Sequence, residues 1–376
     1  MYSIYQNNVN LSVVFYNKPK SHLMNLRQTA IFWLFLSVLA TAHAQGKRYN
    51  IRTVAFYNLE NLFDTINNPN KLDEYSPIME MKSNRSEAYW KKIHNMARVL
   101  SDIGKDESQD SPAIIGVSEV ENKAVVQDLV NDSLLIEKNY GIIQYPSPDL
   151  RGIDVALLYQ KRYFTPTSSK SYELKIYDNT SGKRQFTRDQ LVVSGQLEGE
   201  PVHFIVNHWP SRRGGEKLSG YKRLAAAKLT KRITDSLLTL DPYAKVVIMG
   251  DLNDDPTSNS LKKGLKSSRK RTRMGLGDIY NPFENFYHSG LGTTAFRDAW
   301  SLFDQLLMTR GLLNGNYNGF QFYKAGIYNK NVIVTASGRY KGYPLRSWGN
   351  GGFTNGFSDH FPVYIYLIKK IETDSP

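Results

Sequence analysis

The chain has 376 residues, 41% of them hydrophobic and 12% aromatic, so it carries enough apolar surface for a large packed core. It contains no cysteine, which excludes disulfides, zinc–thiolate centres and thiol nucleophiles and leaves oxygen and imidazole as the ligands for any metal. A formal net charge of +13 favours polyanionic partners, nucleic acid or an acidic lipid surface, without choosing between them.

Residues 1–23 precede Met24, where a secretory signal of ordinary length begins, and read as an over-extended gene start. Residues 24–44 then follow a signal-peptide plan: Arg27 in the basic flank, an apolar run over 30–40, and the small residues Ala42 and Ala44 before Gln45. That run is shorter than the roughly 20 residues a bilayer-spanning helix needs. The expectation is a soluble protein exported to the periplasm or the extracellular space. Residues 1–44 hold three cations and no acid, so the mature chain stays basic after their removal.

Within 45–376 no repeat or proline-rich linker divides the chain, and one domain is expected. Apolar runs rich in β-branched and aromatic residues predict strands at 53–57, 113–117, 154–159, 191–197, 202–206, 245–249, 302–308 and 362–368. Helical spacing predicts a helix over 86–103, with Trp90, Ile93, Met96, Ala97 and Leu100 on its apolar face. A second helix is predicted over 220–240, with Leu224, Ala227, Leu229, Ile233 and Leu237. Strands only partly separated by helices indicate an α+β chain, a mixed sheet system covered by helices. The least regular stretch, 262–292, opens with seven Lys and Arg residues over 262–273, read as a solvated basic loop or as a contact surface for a polyanion.

Chemistry collects where the predicted strands end. Asn58-Leu59-Glu60-Asn61, Ser118-Glu119, Asn207-His208, Gly250-Asp251-Leu252-Asn253 and Ser358-Asp359-His360 each border an apolar run. Any one such cluster, viewed alone, is more often a turn or cap, but strand ends that share one sheet edge converge on a single point. A hard cation such as Mg²⁺ takes oxygen ligands and keeps several waters, which suits Glu119, Asp251, Asn253 and Asp359. His208 and His360 titrate near neutral pH and are the groups for proton transfer.

These residues, in this order, resemble the endonuclease/exonuclease/phosphatase superfamily over about residues 51–368, most specifically in Gly250-Asp251-Leu252-Asn253 and Ser358-Asp359-His360. The resemblance implies a four-layer α/β/β/α sandwich of the DNase I type, with the site at one edge of two packed sheets. It implies that Glu119, with Asn58 beside it and Asp359 nearby, binds the metal, Mg²⁺ with Mn²⁺ or Ca²⁺ as alternatives. It further implies that Asp251 orients or deprotonates the attacking water, that Asn253 holds a phosphate oxygen, and that His208 is a second catalytic imidazole. Asp304 would pair with His360 and favour its charged form. Arg151, Arg212 and Asn207 are candidate phosphate contacts, and Asp154 a candidate partner orienting His208. Glu60-Asn61 receives no role from the resemblance.

Positive charge, the basic 262–273 segment and export favour a nuclease acting on DNA or RNA, as a monomer with no obligate protein partner. The alternative is a phospholipid phosphodiesterase or phosphatase, for which Trp209, Trp348 and Phe353 would be the interfacial residues unless buried. A third reading is a polyanion-binding protein that keeps the fold as a scaffold without catalysis.

Overall fold

The computed structural model describes residues 48–371, so the gene-start and signal-peptide expectations lie outside the described residues. The first sheet begins with β1 (Tyr49–Leu62), β2 (Ile114–Val120), β3 (Tyr140–Gln144) and β4 (Asp154–Gln160). The chain then builds a second sheet from β5 (Phe164–Tyr172), β6 (Gln190–Leu197), β7 (Glu200–His208), β8 (Val246–Asp251), β9 (Ser267–Ser268), β10 (Ile279–Tyr280) and β11 (Asp304–Thr309). It returns to the first sheet with β12 (Gln321–Ile327) and β13 (Val363–Lys370). The strand orders are β12-β13-β1-β2-β4-β3 and β9-β10-β11-β8-β7-β6-β5.

Alternation along the strands decides the layering, because successive side chains leave opposite faces. Val54 and Phe56 of β1 point one way, into a core shared with Phe204, Val206, Val247, Met249 and Leu306 of the second sheet. Ala55 and Tyr57 point the other way, onto Ile93, Met96 and Leu100 of helix α1 (Arg85–Asp102) and a core that also takes Val125 and Leu129 of α2 (Lys123–Val130). Val246 and Ile248 leave the far face of the second sheet and meet Ala226, Ala227 and Ile233 of α3 (Glu216–Leu240). The result is the expected helix/sheet/sheet/helix sandwich, with apolar contact continuous through three interlayer cores.

Each expected strand and helix is present, with shifted ends. β1 runs through 58–62, carrying the chain straight into its first polar cluster, and α3 begins at Glu216. Five strands escaped the apolar-run reading, the two-residue β9 and β10 within the irregular 262–292 stretch and three longer ones. β5 (FTPTSSKSY) and β12 are sheet-edge strands with much of their length exposed or half-exposed, and the short β3 also lies at an edge. Such strands form by backbone pairing and need few apolar residues. The eight-residue α2 is capped instead by Asn122, whose side chain accepts the Ala124 and Val125 N–H groups.

Candidate active site

The second sheet supplies one half of the site through register alone. β7 and β8 run parallel with His208 opposite Asp251, and β8 and β11 run antiparallel with Asp251 opposite Asp304. Three ionisable residues from distant parts of the chain thus stand abreast across adjacent strand ends. The strands approach closely because residue 250 is glycine: a Cβ there would lie 2.3 Å from the Asn207 carbonyl oxygen.

The first sheet supplies the other half through an irregularity. β1 and β2 pair in register up to Asn58 opposite Ser118, and the register then shifts. Across this bulge Glu60, Asn61 and Glu119 adopt left-handed backbone angles (φ 47°, 54° and 59°), as does Asn253 on the opposite sheet (φ 51°). Non-glycine residues rarely take this conformation, and it concentrates at functional sites. It lets Glu119 accept the Asn61 N–H at 3.0 Å and the Asn58 amide at 3.2 Å. The same Asn58 NH₂ group donates to Asp251 at 3.1 Å, tying the two sheets' carboxylates together. Ser358, before β13, donates its hydroxyl to the Asn58 carbonyl at 2.7 Å and accepts the His360 N–H at 3.1 Å, which brings the last strand to the same point.

The two histidines carry opposite electrostatics. Burial opposes charge on His360, but the Asp304 carboxylate, 2.6 Å from Nδ1, together with the charges of Asp251 and Asp359, raises its pKa well above the ordinary value. Burial and the positive charges of Arg188, Arg151 and His360 hold His208 well below it. His208 Nε2 lies 3.5 Å from Asp251 and 3.8 Å from Glu119, and its Nδ1 has no partner among the described residues. Burial, with Asp304 and Glu119 nearby, pushes the Asp251 carboxyl up to about 7 against the opposing pull of His360.

Ligand atoms of Glu119, His208 and Asp251 lie within 4.8 Å of one another, as do those of Asp251, Asp304 and His360. The first group fits a divalent cation: a cation there would supply the positive charge that a buried Asp251 beside Glu119 lacks, and carboxylate oxygens suit hard ions. Asn58 turns its NH₂ toward the carboxylates while its Oδ1 accepts the Glu60 N–H at 2.9 Å, so it positions the acidic pair instead of offering them a third oxygen.

Several expected contacts are redirected. Asp154 does not orient His208; its oxygens accept from Gln144 at 2.7 Å and the Ser147 N–H at 2.8 Å. Asn207 is fully buried and bonded to Ile205, Met249, Trp209 and Thr230, which makes it a brace under the site and leaves nothing for a phosphate. Arg212 is held by Asp254, Asp255, Glu216 and the Asn253 carbonyl, so its guanidinium is already occupied. Asn253 donates its amide to the Trp209 carbonyl at 3.1 Å, and its N–H fixes Asp251 at 2.9 Å. Asp359 is half-exposed and pairs with Arg346 at 3.3 Å, outside both carboxylate–imidazole groups. Arg151, 51% exposed and only 3.5 Å from Asp149, keeps donors for an incoming anion.

Glu60, which received no role from sequence, anchors a support behind Glu119. It is buried, accepts the Ser347 N–H at 2.6 Å and Arg346 Nε at 3.1 Å, and its backbone carbonyl takes the Trp348 indole. Burial and the charge of Asp359 push Glu60 up to about 7, while burial lowers the fully enclosed Lys92 to about 8. Lys92 sits on the predicted helix 86–103 at a position that ordinarily faces water, and Arg346-Ser347-Trp348 has no apolar period, so neither was visible as part of a site.

Gly250→Ala is expected to push β8 off β7, displacing Asp251 and His208 and lowering turnover at this site by about 10²-fold; an unchanged rate would refute that constraint. Asp304→Asn removes the main support for the His360 cation. In the wild type the raised pKa stabilises the fold at acidic pH, and that contribution is lost as pH rises through the folded-state value. The variant's imidazole should titrate at lower pH by NMR and lose the contribution earlier; an unmoved titration would contradict the pairing.

A family model described as the Endonuclease/Exonuclease/phosphatase family matches residues 53–369. No curated protein matches the chain in sequence. An endonuclease/exonuclease/phosphatase family protein of Bacteroides thetaiotaomicron superposes with a TM-score of 0.50 at 16% identity, covering 88% of this chain and 99% of its own. Truncated TDP2 of Caenorhabditis elegans gives 0.50 at 17% identity, covering 84% and 97%. These likenesses agree with the layer order above, and the match across 53–369 makes this chain a member of the endonuclease/exonuclease/phosphatase family, whose enzymes are divalent-metal-dependent hydrolases of phosphoric esters.

Proposed function

We propose that this chain is an exported, Mg²⁺-dependent phosphodiesterase that cleaves DNA as an endonuclease, acting as a monomer. The observation that carries the reading is the convergence of Glu119 and Asp251 with an imidazolium at His360 and a neutral imidazole at His208, beneath an exposed Arg151. Glu119 would hold Mg²⁺, which when bound polarises a phosphoryl oxygen. Asp251, whose carboxyl is pushed up by burial and by the charges of Asp304 and Glu119, takes a proton from the attacking water. Charged His360, held by Asp304, donates to a non-bridging phosphoryl oxygen as negative charge develops there. His208, held neutral, turns Nε2 toward Asp251 and Glu119, where it would join Glu119 in holding the cation.

A net charge of +13 favours a polyanionic substrate. The basic segment agrees only in part: Lys262 is committed to Glu284 at 2.6 Å and Arg271 lies over Tyr280 and Phe322, while Lys263, Lys266, Arg269 and Lys270 face solvent. One observation favours a lipid substrate instead. The hairpin Thr294–Phe296/Ala299–Ser301 exposes Phe296 and Trp300, and Trp300 stacks on Phe361 beside His360. The earlier lipid-facing candidates Trp209 and Trp348 are buried and Phe353 is half-buried.

Plasmid DNA should be cut in Mg²⁺, with loss of activity on chelation and a rate that falls as salt rises, and Asp251→Asn or His360→Ala should each lower it by about 10²-fold or more. Intact plasmid alongside rapid turnover of sphingomyelin vesicles would decide for the lipid reading. Export predicts that the protein recovered from outside the cytoplasm starts at Gln45 by N-terminal sequencing; recovery only from the cytoplasm with residues 24–44 attached would remove that part of the proposal.

A further inference from the structure

Beside His208 the surface opens into a pocket of about 300 Å³ that the reaction chemistry above does not use. Four of its lining residues are cations, Arg151, Arg188, Arg213 and Lys222, and its one lining carboxylate is Asp149. Asp149 is already shared between Arg188 at 3.2 Å and Arg151 at 3.5 Å. Arg213 and Lys222 form no ion pair among the described residues, although Asp178 lies within the charge influence of Lys222. The pocket is therefore strongly positive before any ligand enters.

Its wall also holds polar groups that bond nothing among the described residues. Arg188 is 5% exposed, donates through Nη1 to Asp149 and through Nη2 to the Trp209 carbonyl at 2.7 Å, and leaves Nε without a partner. The neighbouring Thr187 hydroxyl, 6% exposed, is likewise unpartnered. Buried donors are ordinarily satisfied, and one left unmet is unfavourable; an anion entering the pocket would meet that need. The lining also has an apolar, open part, with Leu150 57% and Phe186 50% exposed.

The pocket and the reaction site share one backbone group. The Trp209 carbonyl accepts both Arg188 Nη2 and the Asn253 amide, and Trp209 directly follows His208. We infer that this pocket is a second phosphate subsite, taking the phosphate adjacent to the scissile one in a polynucleotide, with the intervening nucleoside against Leu150 and Phe186. Arg151, at the boundary, faces both phosphates. The inference rests on the reading of the site as a nucleic-acid phosphodiesterase, and it makes the enzyme a reader of paired phosphates: a substrate with one phosphate uses half of the available charge.

The test is calorimetric titration of chelator-treated protein with thymidine 3′,5′-bisphosphate and with thymidine 5′-monophosphate. The bisphosphate should bind about tenfold tighter or better. Arg213→Gln combined with Lys222→Gln, one exposed and one half-buried position, should remove that advantage, and Phe186→Ala should weaken both nucleotides while leaving their ratio in place. Lys123→Gln combined with Lys161→Gln removes the same charge elsewhere and should keep the advantage. Equal affinity for the two nucleotides, an advantage that survives the Arg213/Lys222 change, or one lost equally in the control would overturn the subsite. Plasmid cleavage is read separately: the bisphosphate advantage without cleavage keeps the subsite and rejects the nuclease reading, and cleavage without the advantage does the reverse.

Discussion

Everything at this site depends on strand register. His208, Asp251 and Asp304 meet because β7, β8 and β11 are neighbours paired at those three positions. A slip of one residue in any of them would turn the aligned side chain to the other face of the sheet. That register is fixed from below by the apolar alternation: Val247 and Met249 must enter the intersheet core, and Val246 and Ile248 must meet α3. The alignment of these three side chains is thus a by-product of burying the strands correctly, and the glycine at 250 permits the approach that register demands.

The two imidazoles differ because of which ions surround them, since both are buried. His360 is hydrogen-bonded to Asp304 with Asp251 and Asp359 near, whereas His208, although 3.5 Å from Asp251 and 3.8 Å from Glu119, has no carboxylate bond among the described residues and feels the positive charges of Arg188, Arg151 and His360. The carboxylate between them, Asp251, feels a cation on one side and acids on the other. Opposite protonation preferences arise within one small volume without any unusual residue type, through placement of ordinary charges in a poorly hydrated setting.

The polar clusters at strand ends were legible in the sequence because acids, amides and histidines interrupt apolar runs, and the family motifs at 250–253 and 358–360 pointed to the fold. The pairing of Asp304 with His360 followed from the resemblance, and the 2.6 Å contact is present. What stayed hidden was direction. Asn207 and Asp154 stand next to the chemistry in sequence, but a side chain that leaves a strand on the wrong face, or finds a closer donor, cannot reach it. Arg212 looked like a phosphate ligand because nothing local shows that Asp254, Asp255 and Glu216 fold against it. Glu60, Lys92 and Arg346 lie far apart along the chain, and their mutual compensation exists only after the first sheet and α1 have packed. Arg188 was missed for the same reason: an arginine between Thr187 and Asp189 carries no sign of full burial.

The sheets face each other through an apolar interior and are joined at this end by Asn58, which reaches from β1 to Asp251 on β8. Glu119 comes from one layer and Asp251 with His208 from the other, so an ion gripped by all three would clasp the layers like a buckle. The unfolded chain offers no such grip, and tight occupancy would then raise the melting temperature in step with ion concentration. For a chain without cysteine, the same cation that serves turnover becomes a reversible crosslink, and shelf life would follow the divalent-ion content of the surroundings.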